Sequence, residues 1–351
     1  MNRQELIECT EQSTLRSRRY ADTVKIYCLL NDSVKAFGNG VKLRKMERKL
    51  RRQSDNRELE LDMLIQNNAS TYTIFESTIS VSHKPEHLEK EIRQIMDRDS
   101  DFLDDDVNIP ISDVVLLCHQ DDAQQLLDTY NRLITAGAIT PFSRNLCMAT
   151  HFWYKNTGGI EALKIKWFHG NSNDNAFLNQ LKNHDLTCDA PRLAFKVSQE
   201  RFYFTNRKPP IPYLSSELEA FINTELNEIL RSPEPVPKYR FDINEFIAAF
   251  RDKKGNEYCR PLSEWVREGL SYLEKSSLIK IDGNSFITYV DMFSRPRKVT
   301  DRYQFYARLE CKSIKQAKHP SGLKLTKRPN LTEDQKSHYK PLFGPQPAPQ
   351  R

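Results

Sequence analysis

Long apolar runs are missing from this 351-residue chain. The longest, such as Val114-Val-Leu-Leu-Cys118, fall far short of the roughly 20 apolar residues that a membrane-spanning helix needs. Glycine is scarce, at 11 residues, which is poor material for a phosphate-cradling loop, and no Gly-x-x-x-x-Gly-Lys-Ser/Thr occurs. His-Glu-x-x-His, Gly-x-Ser-x-Gly and Cys-x-x-Cys are absent as well. The sequence therefore offers no grounds for a P-loop nucleotide site, a helical zinc-protease motif, a nucleophile elbow or a paired-cysteine metal site. The first residues, Met-Asn-Arg-Gln-Glu-Leu-Ile-Glu, lack the apolar stretch of a secretory signal. A cytoplasmic protein without membrane contact is the expectation, and its seven scattered cysteines then suit reduced buried thiols better than disulfides. No catalytic residue, cofactor or metal ligand is assigned.

Core-forming material is plentiful. With 18 Phe, 14 Tyr and 3 Trp the chain is too aromatic for disorder, and with 28% charged residues it reads as water-facing outside its core. The net charge of +6 is unevenly spread. Residues 42–52 hold seven Lys or Arg against Glu47, and residues 295–328 hold eleven against Asp301 and Glu310. Those two segments contribute +6 and +9, which leaves the rest of the chain at −9. Two basic segments on an acidic body suit a polyanion binder, because each neutralised phosphate releases counterions. The opposite extreme is Asp97-Arg-Asp-Ser-Asp-Phe-Leu-Asp-Asp-Asp106, six Asp in ten residues. It reads as a solvated loop, with a metal-dependent enzyme site as the alternative.

Periodicity predicts an α+β fold: a helical N-terminal region, one or two winged-helix units, and an antiparallel β segment between them. The expected division is 1–105, helical with a basic helix; 106–231, a first winged-helix-like unit with its β segment; 238–310, a C-terminal winged-helix unit; and 311–351, a basic, Pro-rich, disordered tail. Leu15, Tyr20, Val24 and Tyr27 space as one helical face, and Leu43, Met46, Leu50 and Leu59 suggest a second helix over 41–66. In the 106–231 stretch, Ile109–Asp113 reads as a short helix. A second helix carries Leu126, Tyr130 and Leu133 and stops at Gly137, and a hairpin follows over 138–154. In the 238–310 stretch, Asp242 with Glu245 caps a helix, Leu262 to Leu273 form the next, and Asp282-Gly283 turns a hairpin. Pro-rich 232–237 is the expected linker.

This order of helix, turn, helix and hairpin points to duplex DNA as partner, in a replication initiator or regulator. The expected contacts are Arg44, Lys45, Arg48 and Lys49 on the basic segment, Arg132 and Arg267 on the second helices, and Arg295, Arg297, Lys298 and Arg302 beyond the wing. The face of 263–275 mixes Glu264, Glu268 and Glu274 with Arg267 and Lys275. That mixture keeps open a second class, a winged-helix assembly subunit that binds itself or a replication or assembly partner. A metal-dependent nucleic-acid-processing enzyme using the 97–106 carboxylates or His169 is the third.

Overall fold

The computed structural model describes residues 3–37, 40–67, 70–78, 85–104, 107–155, 161–170, 175–183, 186–187, 203–205, 207–230, 238–255, 260–289 and 302–318. The fold mixes α and β, and the chain forms two compact units. One comprises residues 22–203; the other joins residues 1–21 to everything from 204 onward. Helix α1 (Arg3–Phe37) contributes to both.

In the 22–203 unit, α1 leads into a long hairpin of β1 (Lys42–Arg52) and β2 (Glu58–Gln66). Asn56 turns it with φ 59°, a left-handed conformation that Asn tolerates, while the Arg52 and Arg57 backbones close the loop. β3 (Tyr72–Ser77), α2 (Pro85–Met96), the short edge strands β4 (Phe102–Asp104) and β5 (Val107–Ile109), and β6 (Ile111–His119) follow. Next come α3 (Ala123–Thr135), β7 (Asn145–Lys155), β8 (Glu161–His169), α4 (Ala176–Asn183) and β9 (Leu186–Thr187). The nine strands form one mixed sheet in the order β5-β4-β1-β2-β3-β6-β7-β8-β9. β3, β6 and β7 are mutually parallel, with α2 and α3 as the crossovers, and the remaining pairs are antiparallel.

Leu88, Ile92, Leu126, Tyr130 and Leu133 of the crossover helices pack with Ile74, Val114, Leu116 and Met148. On the other side, Phe75 meets Phe177 of α4 edge-on at 6.3 Å, Thr23 of α1 lies 3.5 Å from Ser77, and Lys25 sits over the Trp153 ring. Helices on both faces explain why the central strands read as continuous apolar runs.

At the starts of the parallel strands lies a buried polar row. Thr73, Asp113 and Asn145 are level in register. Asn145 and Asn175 each donate to the Asp113 carboxylate, at 2.7 and 3.0 Å, and Ser112 adds a third bond at 2.7 Å. Asn175 also donates to Thr73 and accepts from the Leu178 amide, pinning the first turn of α4 to the sheet.

The other unit combines the start of α1 with α5 (Ile211–Leu230), β10 (Lys238–Asp242), α6 (Ile243–Lys254), α7 (Ser263–Lys275), β11 (Ile279–Asp282), β12 (Ser285–Tyr289) and α8 (Arg302–Lys318). The three strands pair in the order β10-β12-β11. Phe241 stacks on Phe286 at 4.9 Å, Phe246 meets Phe286 edge-on at 5.0 Å, and Phe221 closes on Phe250 at 5.3 Å. Tyr20 of α1 accepts from the Thr205 amide, and Ser13 bonds Glu310 of α8 at 2.5 Å. Cys9 and Cys311 form a disulfide between α1 and α8.

Several expectations need correction. The basic segment 42–52 is a strand. Its positions are satisfied by cross-strand partners, and β2 is buried on both faces from Leu61 to Ile65, which hides the two-residue period. The expected helix at 109–113 is an edge-strand end and the start of β6. Residues 138–140 form no strand, and β7 pairs parallel with β6 rather than in a hairpin with 138–140. The 106–231 stretch therefore contains a strand, helix, parallel-strand crossover in place of helix, turn, helix and hairpin. Residues 311–318 are helical, not tail, and Cys9 and Cys311 are not thiols. Leu15 is exposed at 39%. The linker 232–237 and the tail beyond 318 lie outside the described residues.

Candidate nucleic-acid interface

On the 238–289 stretch, three loops and helix ends converge through side-chain bonds. Asp242 ends β10 with extended backbone, and its Oδ1 accepts from the Asn244 and Glu245 amides, capping α6 as the sequence promised. Its Oδ2 accepts from the Asn284 side chain at 3.2 Å, and the Asn284 carbonyl accepts from the Ile243 amide. Gly283, with φ 60°, gives the hairpin tip its left-handed step. From α7, the Arg267 guanidinium donates to Asn244 Oδ1 at 2.6 Å. An exposed arginine, the start of α6 and the hairpin tip thus share one polar patch.

The acidic side chains of α7 are largely engaged elsewhere. Glu268 pairs with Lys208 at 2.7 Å, and Glu274 accepts from the Ile281 amide at 2.8 Å. Glu264, Arg267 and Lys275 remain on the exposed side, with Lys275 4.0 Å from the centre of the Tyr272 ring. Arg302, in the first turn of α8, is half-buried beside Glu217, whose carboxyl is pushed above the usual range by burial and held back by Lys254 and Arg302. That residue faces an internal charge cluster. Arg295, Arg297 and Lys298 lie outside the described residues.

In the other unit, Arg44, Lys45, Arg48 and Lys49 all fall on β1, with Arg44 at a bulge and exposed, and Lys49 exposed. Register sets Lys49 opposite Glu60 and Arg51 opposite Glu58, so part of the strand's positive charge meets carboxylates across the ladder. Arg132 on α3 is exposed and 3.6 Å from Glu89.

Within the acidic run, residues 97–101 form an arginine-binding corner, while Asp105 and Asp106 lie outside the described residues. Asp97 takes Arg52 at 3.0 Å and Arg57 at 3.5 Å, while Arg144 bridges Asp99 and Asp101 at 3.3 and 2.8 Å. Asp99 also caps the Ser143 amide at 2.7 Å. The Arg52 side chain holds the Asp55 carboxyl down at about 2. Sequence reasoning passed over two other acids, Asp62 on β2 and Glu76 on β3, both buried. Asp62 accepts from the Ser77 amide at 2.8 Å, and Glu76 pairs with Arg98 at 2.7 Å. Acids set directly into apolar stretches, Leu61-Asp62-Met-Leu-Ile65 and Ile74-Phe-Glu76, were the available signal. Among the described residues no group of three or more His, Cys, Asp or Glu is placed to hold a metal ion, and no helix is long and apolar enough to cross a membrane. Comparison with family models, curated proteins and solved structures returns no match.

Proposed function

We propose that the protein binds duplex DNA through residues 238–289, read as a winged helix in which α7 lies toward the major groove and the β11–β12 turn is the wing. The observation that carries this reading is the patch linking Arg267, Asn244 and Asn284. Arginine and asparagine are the side chains best suited to base edges, and they stand here beside the first turn of a helix. Arg295, Arg297 and Lys298 are then phosphate contacts beyond the wing, and Arg44, Lys45, Arg48 and Lys49 supply a second basic strip on β1. A role as replication initiator or regulator follows by fold analogy alone.

Fluorescence anisotropy of the full chain on a labelled duplex, at two salt concentrations, tests the reading. Arg267→Ala should weaken binding about tenfold and relax preference at one base pair, as removal of a bidentate base contact does. Arg44→Ala with Lys49→Ala should flatten the salt slope by about two units. Duplex binding that is absent at low salt, or untouched by these changes, overturns the DNA reading in favour of a protein-binding winged helix.

A further inference from the structure

The β7–β8 pair carries a surface that the winged-helix reading leaves unused. Register sets Thr150 opposite Lys166, Phe152 opposite Lys164 and Tyr154 opposite Ala162. Alternation puts the Thr150, Phe152, Tyr154, Lys164 and Lys166 side chains on one face and His151, Trp153, Leu163 and Ile165 on the other. The second face belongs to the core, with His151, Leu163 and Ile165 at most 5% exposed. On the first face Lys164 and Lys166 are exposed, and Phe152 and Tyr154 are only half-buried. α3 packs over Leu146 and Met148 of this face. β6 ends at His119, level with His151, so Phe152 and Tyr154 lie past the parallel pairing, with ring centroids 6.2 Å apart.

We propose that Phe152, Tyr154, Lys164 and Lys166 form a platform for single-stranded DNA, with the rings stacking on successive bases and the lysines holding phosphates. Aromatic stacking gives affinity without sequence preference because every base has a π-face, and a flanking positive strip follows the backbone. Ring positions two residues apart on a strand, about 6.8 Å along it, match an extended strand whose bases are parted. A duplex keeps those faces stacked on one another. Two exposed cations beside the rings select a polyanion over an apolar partner. The surface lies in the 22–203 unit and does not depend on the winged-helix patch.

The test uses the full-length protein and labelled oligo(dT). Phe152→Leu with Tyr154→Leu keeps apolar bulk and removes the rings. It should weaken oligo(dT) binding about 10- to 100-fold, with duplex affinity unchanged. Lys164→Gln with Lys166→Gln should lower the oligo(dT) salt slope by about 1.4 units, a readout that holds even if the leucine variant melts lower. Arg267→Ala should leave oligo(dT) binding intact, which separates failure here from failure of the duplex reading. A wild type that does not bind oligo(dT) at low salt, a leucine variant that binds as wild type does, or lysine variants with an unchanged slope overturns the proposal.

Discussion

Asp113 shows how a single buried charge is made tolerable. Three side-chain donors surround its carboxylate, from Ser112, Asn145 and Asn175, and a fully satisfied network rigidifies where a half-satisfied one would destabilise. It also acts on its neighbour. Burial, reinforced by Asp113, pushes the Cys147 thiol up to about 11. The folded state therefore retains this proton over a pH range where the unfolded chain, titrating near 9.0, has released it. In that window the native state binds more protons, so stability falls as pH rises. Cys147→Ala removes this contribution. The melting-temperature difference between wild type and variant should shrink by a few degrees from about pH 8 to 11, and parallel curves would refute the burial argument. At this scale the sequence was readable where partners are local: the Asp242 cap, the Gly137 helix end and the Gly283 turn all stand where residue chemistry put them. The Asp113 row was not, because apart from the adjacent Ser112 its donors are Asn145 and Asn175, more than 30 positions away.

Among the elements, helices with one apolar stripe and well-marked ends were legible, and strands buried on both faces were not. α3 and α7 expose polar sides and bury Leu126, Tyr130 and Leu133 or Trp265, Val266, Leu270 and Leu273 at helical spacing. β1 has charges on both sides and β2 has apolar residues on both, so neither displays a two-residue alternation to read. Contact between helices is equally hidden. Gly269 brings α7 against α5 so closely that an added Cβ would overlap Leu218 Cδ1 and stand 3.0 Å from Leu214 Cγ. Gly269→Ala gains helix propensity but forces that interface apart. The expected result is a net loss of about 1–3 kcal/mol, read as a lower denaturant midpoint with an unchanged slope. A variant as stable as wild type would mean that the leucines rotate away without cost.

For the whole molecule, periodicity indicated the mixed α and β fold that is found, no helix among the described residues is long and apolar enough to cross a membrane, and the state of two cysteines was misjudged. Pairing of Cys9 with Cys311 could not be read from spacing, because 302 positions separate them and only the fold brings α1 to α8. Closing so long a loop removes on the order of 5 kcal/mol of chain entropy from the unfolded state, as a ceiling. A reductant should therefore lower the wild-type melting temperature and leave Cys9→Ser unaffected; identical melting of the wild type with and without reductant would show that the bond contributes nothing. The same connectivity fixes an order of events during synthesis. Residues 22–203 form a continuous stretch set inside a unit made of residues 1–21 and everything from 204 onward. A ribosome releases the inserted unit whole, able to fold as it emerges, while the first 21 residues wait through most of translation for the segments that complete their unit. Premature termination soon after residue 204 would then yield a chain with one finished unit and an orphaned leading helix, recognisable to quality control by a Tyr20 without its Thr205 and Tyr213 partners.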